Sequence, residues 1–165
     1  RRLLPRLESG PAHGRALAYG LPDLDRHLPG GGLAFGALHE VVPETAHDTP
    51  AAFGFVSALL GRMPRSGPVL LVASPRGLAS YGRPHGHGLN ALGLDPARVI
   101  LVETGDEREA LWAMEEALRS GAPAAVAGAI GTGLDLKTSQ RLQLAARTSS
   151  LPLLLAGRLV VADRG

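Results

Sequence analysis

Three stretches of this 165-residue chain are apolar from end to end: Val69 to Ala73, Ala124 to Ile130 and Leu153 to Leu155. A strand of that kind has no polar face to offer water, so it is stable only when both of its faces are covered. Between these runs lie segments with helical periodicity. Phe53, Val56, Leu60 and Met63 form one apolar stripe, Leu111, Met114 and Leu118 a second, and Leu142 with Ala145 a third. Buried strands alternating with amphipathic helices predict an α/β fold, a mostly parallel sheet with helices on both faces.

The boundaries are marked by local chemistry. Pro29-Gly30-Gly31-Gly32 reads as a tight turn, because apolar Leu33 and Phe35 follow at once. The first strand is placed at Ala37–Val42. Thr49-Pro50 reads as N-cap and first helical residue, since Pro lacks only an N–H that goes unpaired there. A further strand is placed at Val99–Val102, and Gly77 to Gly93 reads as a loop. Asp106 followed by Glu109 is a capping-box-like start, Gly121 a C-terminal cap, and Asp135 the cap of the last helix. Residues 1–16, with Pro5, Gly10, Pro11 and Gly14, are read as a short N-terminal segment. The core is read as one domain over 17–165.

Composition narrows the class further. Seventeen basic residues, sixteen of them Arg, stand against fifteen acidic ones, for a net charge of +2. Aromatic residues are only 4%, so no base-stacking platform for nucleic acid is expected. With no cysteine, thiolate metal sites and cysteine nucleophiles are excluded. No apolar run approaches the ~18 residues of a membrane span. The start Arg1-Arg2-Leu3-Leu4 has neither Met nor a signal-peptide apolar region, which suggests a trimmed chain.

Other chemistry finds little support. His85 and His87, with His47 near Asp48, fall short of the three or four ligands zinc requires. Ser57, Ser74 and Ser80 lack the glycine setting of a hydrolase elbow. Glu115 and Glu116 read as a solvated surface. Lys137 and Arg141 lie on one face of the last helix. That face is either ordinary exposed surface or a contact to DNA phosphate or an acidic partner.

A strand running through a loop into a helix N-terminus makes an anion site. Here that stretch is Val42-Pro43-Glu44-Thr45-Ala46-His47-Asp48-Thr49. Its approach, Gly20-Leu21-Pro22-Asp23-Leu24-Asp25 and then Gly31 to Val41, resembles the entry to the phosphate loop of RecA-type ATPases. Ala91 to Val102, Glu109 to Gly121 and Ser139 to Ala146 extend the likeness. Together these segments resemble the ImuA family, RecA-like proteins associated with bacterial translesion synthesis.

The resemblance implies a RecA-like core, and the departures from its motif imply a pseudo-ATPase. In register with G-x-x-x-x-G-K-[ST], Val42 replaces the first Gly, His47 the second and Asp48 the Lys. A unit charge ~4 Å from a phosphate oxygen is worth about 4 kcal/mol at an effective dielectric near 20, so reversing its sign swings several kcal/mol. Pro75 or Arg76 stands where the family's ATPases place a catalytic Glu. The strand ending Gly128-Ala129-Ile130 lacks the magnesium-supporting Asp.

The expected role is therefore a non-catalytic accessory factor in SOS-induced mutagenic DNA synthesis, without cofactor or metal. The partners implied by the family are an ImuB-type Y-family polymerase-like protein, an error-prone replicative-type polymerase and RecA. DNA contact would be weak or indirect, and the setting cytoplasmic and nucleoid-associated. The short segment before the core and the early end after the fifth strand imply impaired RecA-type filament formation and a core truncated at its C-terminus. The alternative is an atypical ATPase acting on single-stranded DNA, using Thr49, His47 and Arg76.

Overall fold

The computed structural model describes residues 14–64 and 67–157. Most of the segment read as a short N-terminal piece, residues 1–13, lies outside the described residues. The chain divides into two compact units, the boundary falling between Ala34 and Phe35.

In the first unit, β1 (Ala16–Leu17) pairs antiparallel with β2 (Leu33–Ala34), enclosing the short helix α1 (Pro22–Asp25) and a 3-10 turn at Pro29–Gly31. The sequence pattern there is weak because backbone and carboxylate bonds shape it more than apolar burial. The Asp25 carboxylate accepts the N–H groups of Tyr19, Gly20 and Leu21 at 2.8, 3.0 and 3.2 Å. Gly30 and Gly31 take positive φ in the predicted turn. At Gly32 a Cβ would lie 2.1 Å from the Leu17 carbonyl oxygen, so the close approach itself demands glycine.

The second unit is the α/β core. Its strands are β3 (Leu38–Val41), β4 (Val69–Ala73), β5 (Val99–Glu103), β6 (Ala125–Ala129) and β7 (Leu153–Ala156). They form one sheet in the order β3-β7-β6-β4-β5, every neighbour parallel. The helices are α2 (Thr49–Gly61), α3 (Pro75–Tyr81), α4 (Gly86–Ala91), α5 (Glu107–Ser120) and α6 (Leu136–Ser149). The central strands β6 and β7 are buried along their whole length, as their apolar sequences require.

Alternation along the strands divides the core in two. Leu70 and Val72, Val126, and Leu153 and Leu155 pack against Met114 and Leu118 of α5 and Leu142, Ala145 and Ala146 of α6. The intervening strand positions point to the other face, and α2, which buries Val56, Leu59 and Leu60, packs on β7, β6 and β3. The mostly parallel α/β sheet with helices on both faces is thus present.

Four local expectations are corrected. Gly77–Gly93 contains α3 and α4: Ser74 caps α3 by accepting the Gly77 N–H at 3.0 Å, with Pro75 in the first turn. The glycines masked the periodicity of two short helices. Thr49 is not the cap of α2, because a 3-10 turn at Ala46–Asp48 runs straight into it. That helix ends at Gly61, short of Met63, which is nevertheless buried. Glu115 is no solvated surface residue but is 4% exposed, held between Arg119 at 2.6 Å and Arg141. Helical spacing places Glu115 on the side of α5 that meets α6, a pairing invisible in either helix alone.

Candidate functional site

Because all five strands run parallel, their carboxyl ends share one edge, where α/β sheets bind ligands. Two structures stand there: the 42–49 loop after β3, and the crevice between the ends of β4 and β6. The chain runs outward from β4 to β5 and, after returning to β6, the opposite way to β7, so this crevice lies at the reversal point of the sheet.

In the loop, Val42 is half exposed and Pro43 is buried. Thr45 is extended, and Ala46–Asp48 makes a single 3-10 turn before α2. The Asp48 carboxylate folds back on its own loop, accepting the Thr45 N–H at 3.0 Å and the Thr45 hydroxyl proton at 2.7 Å. Although Asp48 is the residue before α2, its side chain makes no capping bond to that helix and is spent on Thr45. Pro50, within the first two positions of α2, removes an N–H from the same end. Glu44 and His47 are exposed on the loop surface.

The crevice is closed by a side chain that sequence reasoning missed. Glu107, in the first turn of α5, accepts the Ser74 hydroxyl proton at 2.6 Å and the Gly131 N–H at 3.2 and 3.3 Å. Ser74 is fully buried, and its N–H donates to the Ala129 carbonyl at 3.0 Å. Its oxygen both donates to Glu107 and accepts from Gly77, so it is committed to holding β4, β6, α3 and α5 together. Arg76 follows on α3, and a Cβ at Gly131 would fall 2.2 Å from the Arg76 Cβ. Pro75, Arg76, Glu107, Arg108 and Thr132 line an adjoining hollow of about 490 Å³. From sequence, Glu107 reads only as one more acid in a helix's first turn. Nothing local announces that it spans two strand ends.

The remaining candidates are spread out. Asp135 caps α6 by accepting the Thr138 N–H at 2.7 Å, and that bond, with the Thr138 side chain and Lys137, holds its carboxyl below the usual range. Lys137 is exposed in the first turn of α6. Arg141, one turn on, hydrogen-bonds Glu115, which holds its guanidinium above the ordinary value. A groove of about 630 Å³ beside it is lined by Leu111, Trp112, Arg108 and Thr138, with the Trp112 side chain 60% exposed. The His85 and His87 rings lie 5.3 Å apart, and no group of three potential metal ligands forms among the described residues. No helix among the described residues is long and apolar enough to cross a membrane.

Sheet order, strand direction and the loop-to-helix entry define a RecA-like α/β protein. A crystal structure of SulA from Pseudomonas aeruginosa shares this fold, with a TM-score of 0.54 and 20% identity over 73% of this chain and 97% of that one. No protein-family model matches the chain. Protein ImuA of Caulobacter vibrioides, strain NA1000 / CB15N, is 39% identical over 134 residues, or 78% of this chain, and the protein of strain ATCC 19089 / CIP 103742 / CB 15 matches equally. The chain belongs to the ImuA family. It spans about half the length of these relatives, 52% in each case.

Proposed function

We propose that this chain is a non-catalytic, RecA-like accessory factor in damage-induced mutagenic DNA synthesis, acting through protein contacts. Membership of the ImuA family supports the setting. The observation that carries the non-catalytic part is Asp48: its carboxylate, bonded to Thr45, stands where a triphosphate requires a lysine cation. Glu107 supports the same reading, since its oxygens already accept Ser74 and Gly131. The partners proposed are an ImuB-type polymerase-like protein, an error-prone replicative-type polymerase and RecA.

The rival reading, an atypical ATPase acting on single-stranded DNA, rests on Thr49, His47 and Arg76. Equilibrium titration with labelled ATP and magnesium separates the two. The accessory-factor reading expects no saturable binding up to millimolar nucleotide, and micromolar saturation overturns it. Pull-downs against the three partners test the contacts themselves, and failure to retain any of them sinks that half of the proposal.

A further inference from the structure

The two edges of the sheet differ in chemistry. At one, β3 reads Leu38-His39-Glu40-Val41, with polar side chains at its centre. At the other, β5 reads Val99-Ile100-Leu101-Val102-Glu103, paired residue for residue with β4 and without a bulge. Ile100 is 50% and Leu101 36% exposed, and Leu92, which follows α4, is 41% exposed. Edges left open to water are ordinarily blunted by charge, Pro or a bulge. None interrupts Val99–Val102, and among the described residues no strand lies on the outer side of β5.

We infer that β5 is a self-association edge, which pairs antiparallel with β5 of a second copy and joins two five-stranded sheets into one. A two-fold axis at Leu101 places Leu101 opposite its own counterpart. Ile100 then faces Val102 of the second copy, and Val99 faces Glu103. Residues 100 and 102 share one face of a strand, so this register matches apolar side chains on the same side and sets no like charges opposite one another. The patch is thereby complementary to itself, as a two-fold interface demands. Antiparallel pairing at the edge of a parallel sheet is also a common arrangement. This inference stands apart from the accessory-factor reading, since it concerns only how the chain meets its own copies.

Sedimentation across a range of concentrations tests it. The mass is expected to rise from 17.1 kDa toward twice that value. An Ile100→Lys/Leu101→Lys variant, with unchanged circular dichroism, is expected to remain at one copy. The chain has no cysteine, so Leu101→Cys introduces a lone thiol at the axis. Directly opposed strand residues lie at Cα separations of about 4.5–5.5 Å, within disulfide reach. Oxidation should link Leu101→Cys into a dimer and leave Leu136→Cys, on the 75% exposed side chain at the start of α6, unlinked. A mass that never exceeds one copy overturns the inference. So does a lysine variant that associates like the parent, or a Leu136→Cys control that cross-links equally well.

Discussion

Gly77 sits where α3 is pressed against the end of β6, and a Cβ there would lie 1.9 Å from the Ala129 carbonyl oxygen. The obstacle is backbone, so no rotamer change relieves it. Gly77→Ala is expected to destabilise the fold by about 3 kcal/mol, read as a lowered urea midpoint. Gly88, inside α4, has open space around its Cβ position. Gly88→Ala should therefore stabilise by roughly 0.5–1 kcal/mol through helix preference alone. Two glycines in what reads as one loop thus have opposite roles, and only their neighbours distinguish them. Glu115 makes the same point with charge. Its sequence neighbours suggest solvent, while Arg119 and Arg141 receive its carboxylate between two helices.

At the scale of elements, the caps of α5 and α6 were readable, while the cap of α2 and the closures between elements were not. Asp106 and Asp135 each bond an N–H three residues ahead, Glu109 at 2.7 Å and Thr138 at 2.7 Å, which a local pattern predicts. The capping box is only approximate, because Glu109 reaches back to the Gly105 N–H at 2.6 Å instead of to Asp106. Asp135 also carries a pH signature. Its carboxyl is held below the ordinary range, so the folded state favours the charged form. Its contribution is complete above the unfolded-state pKa and disappears as pH falls through the lowered folded value. The urea midpoints of the parent and of Asp135→Ala should differ at neutral pH and converge in strong acid. A gap that persists there would show that the carboxylate's charge is not what stabilises α6. The fold around α3 was hidden because Ser74-Pro75 is a sound helix start, but the glycines and histidines after it carry no apolar stripe.

At the scale of the molecule, the accessory-factor reading predicts that nucleotide leaves stability unchanged. A ligand that binds only the folded state adds RT ln(1 + [L]/Kd), about 4 kcal/mol at 1,000 times Kd. A micromolar site in millimolar ATP with magnesium would then raise the Tm of a domain this size by roughly 8–16 °C. No shift in a thermal scan is the expected outcome.

The sequence by itself determined the sheet-and-helix class, because short apolar runs such as Val69–Ala73 and Leu153–Leu155 alternate with longer amphipathic helical segments, the pattern of a sheet covered on both faces. It also determined the caps at Asp106 and Asp135, which are local properties of a few consecutive residues. Tertiary structure alone decided where Asp48 points, that Glu107 reaches Ser74 and Gly131, that Glu115 is buried, and that β5 lies at an edge. Each of these joins residues far apart in the chain, and which strand lies beside which is set by packing over the whole core rather than by any local pattern.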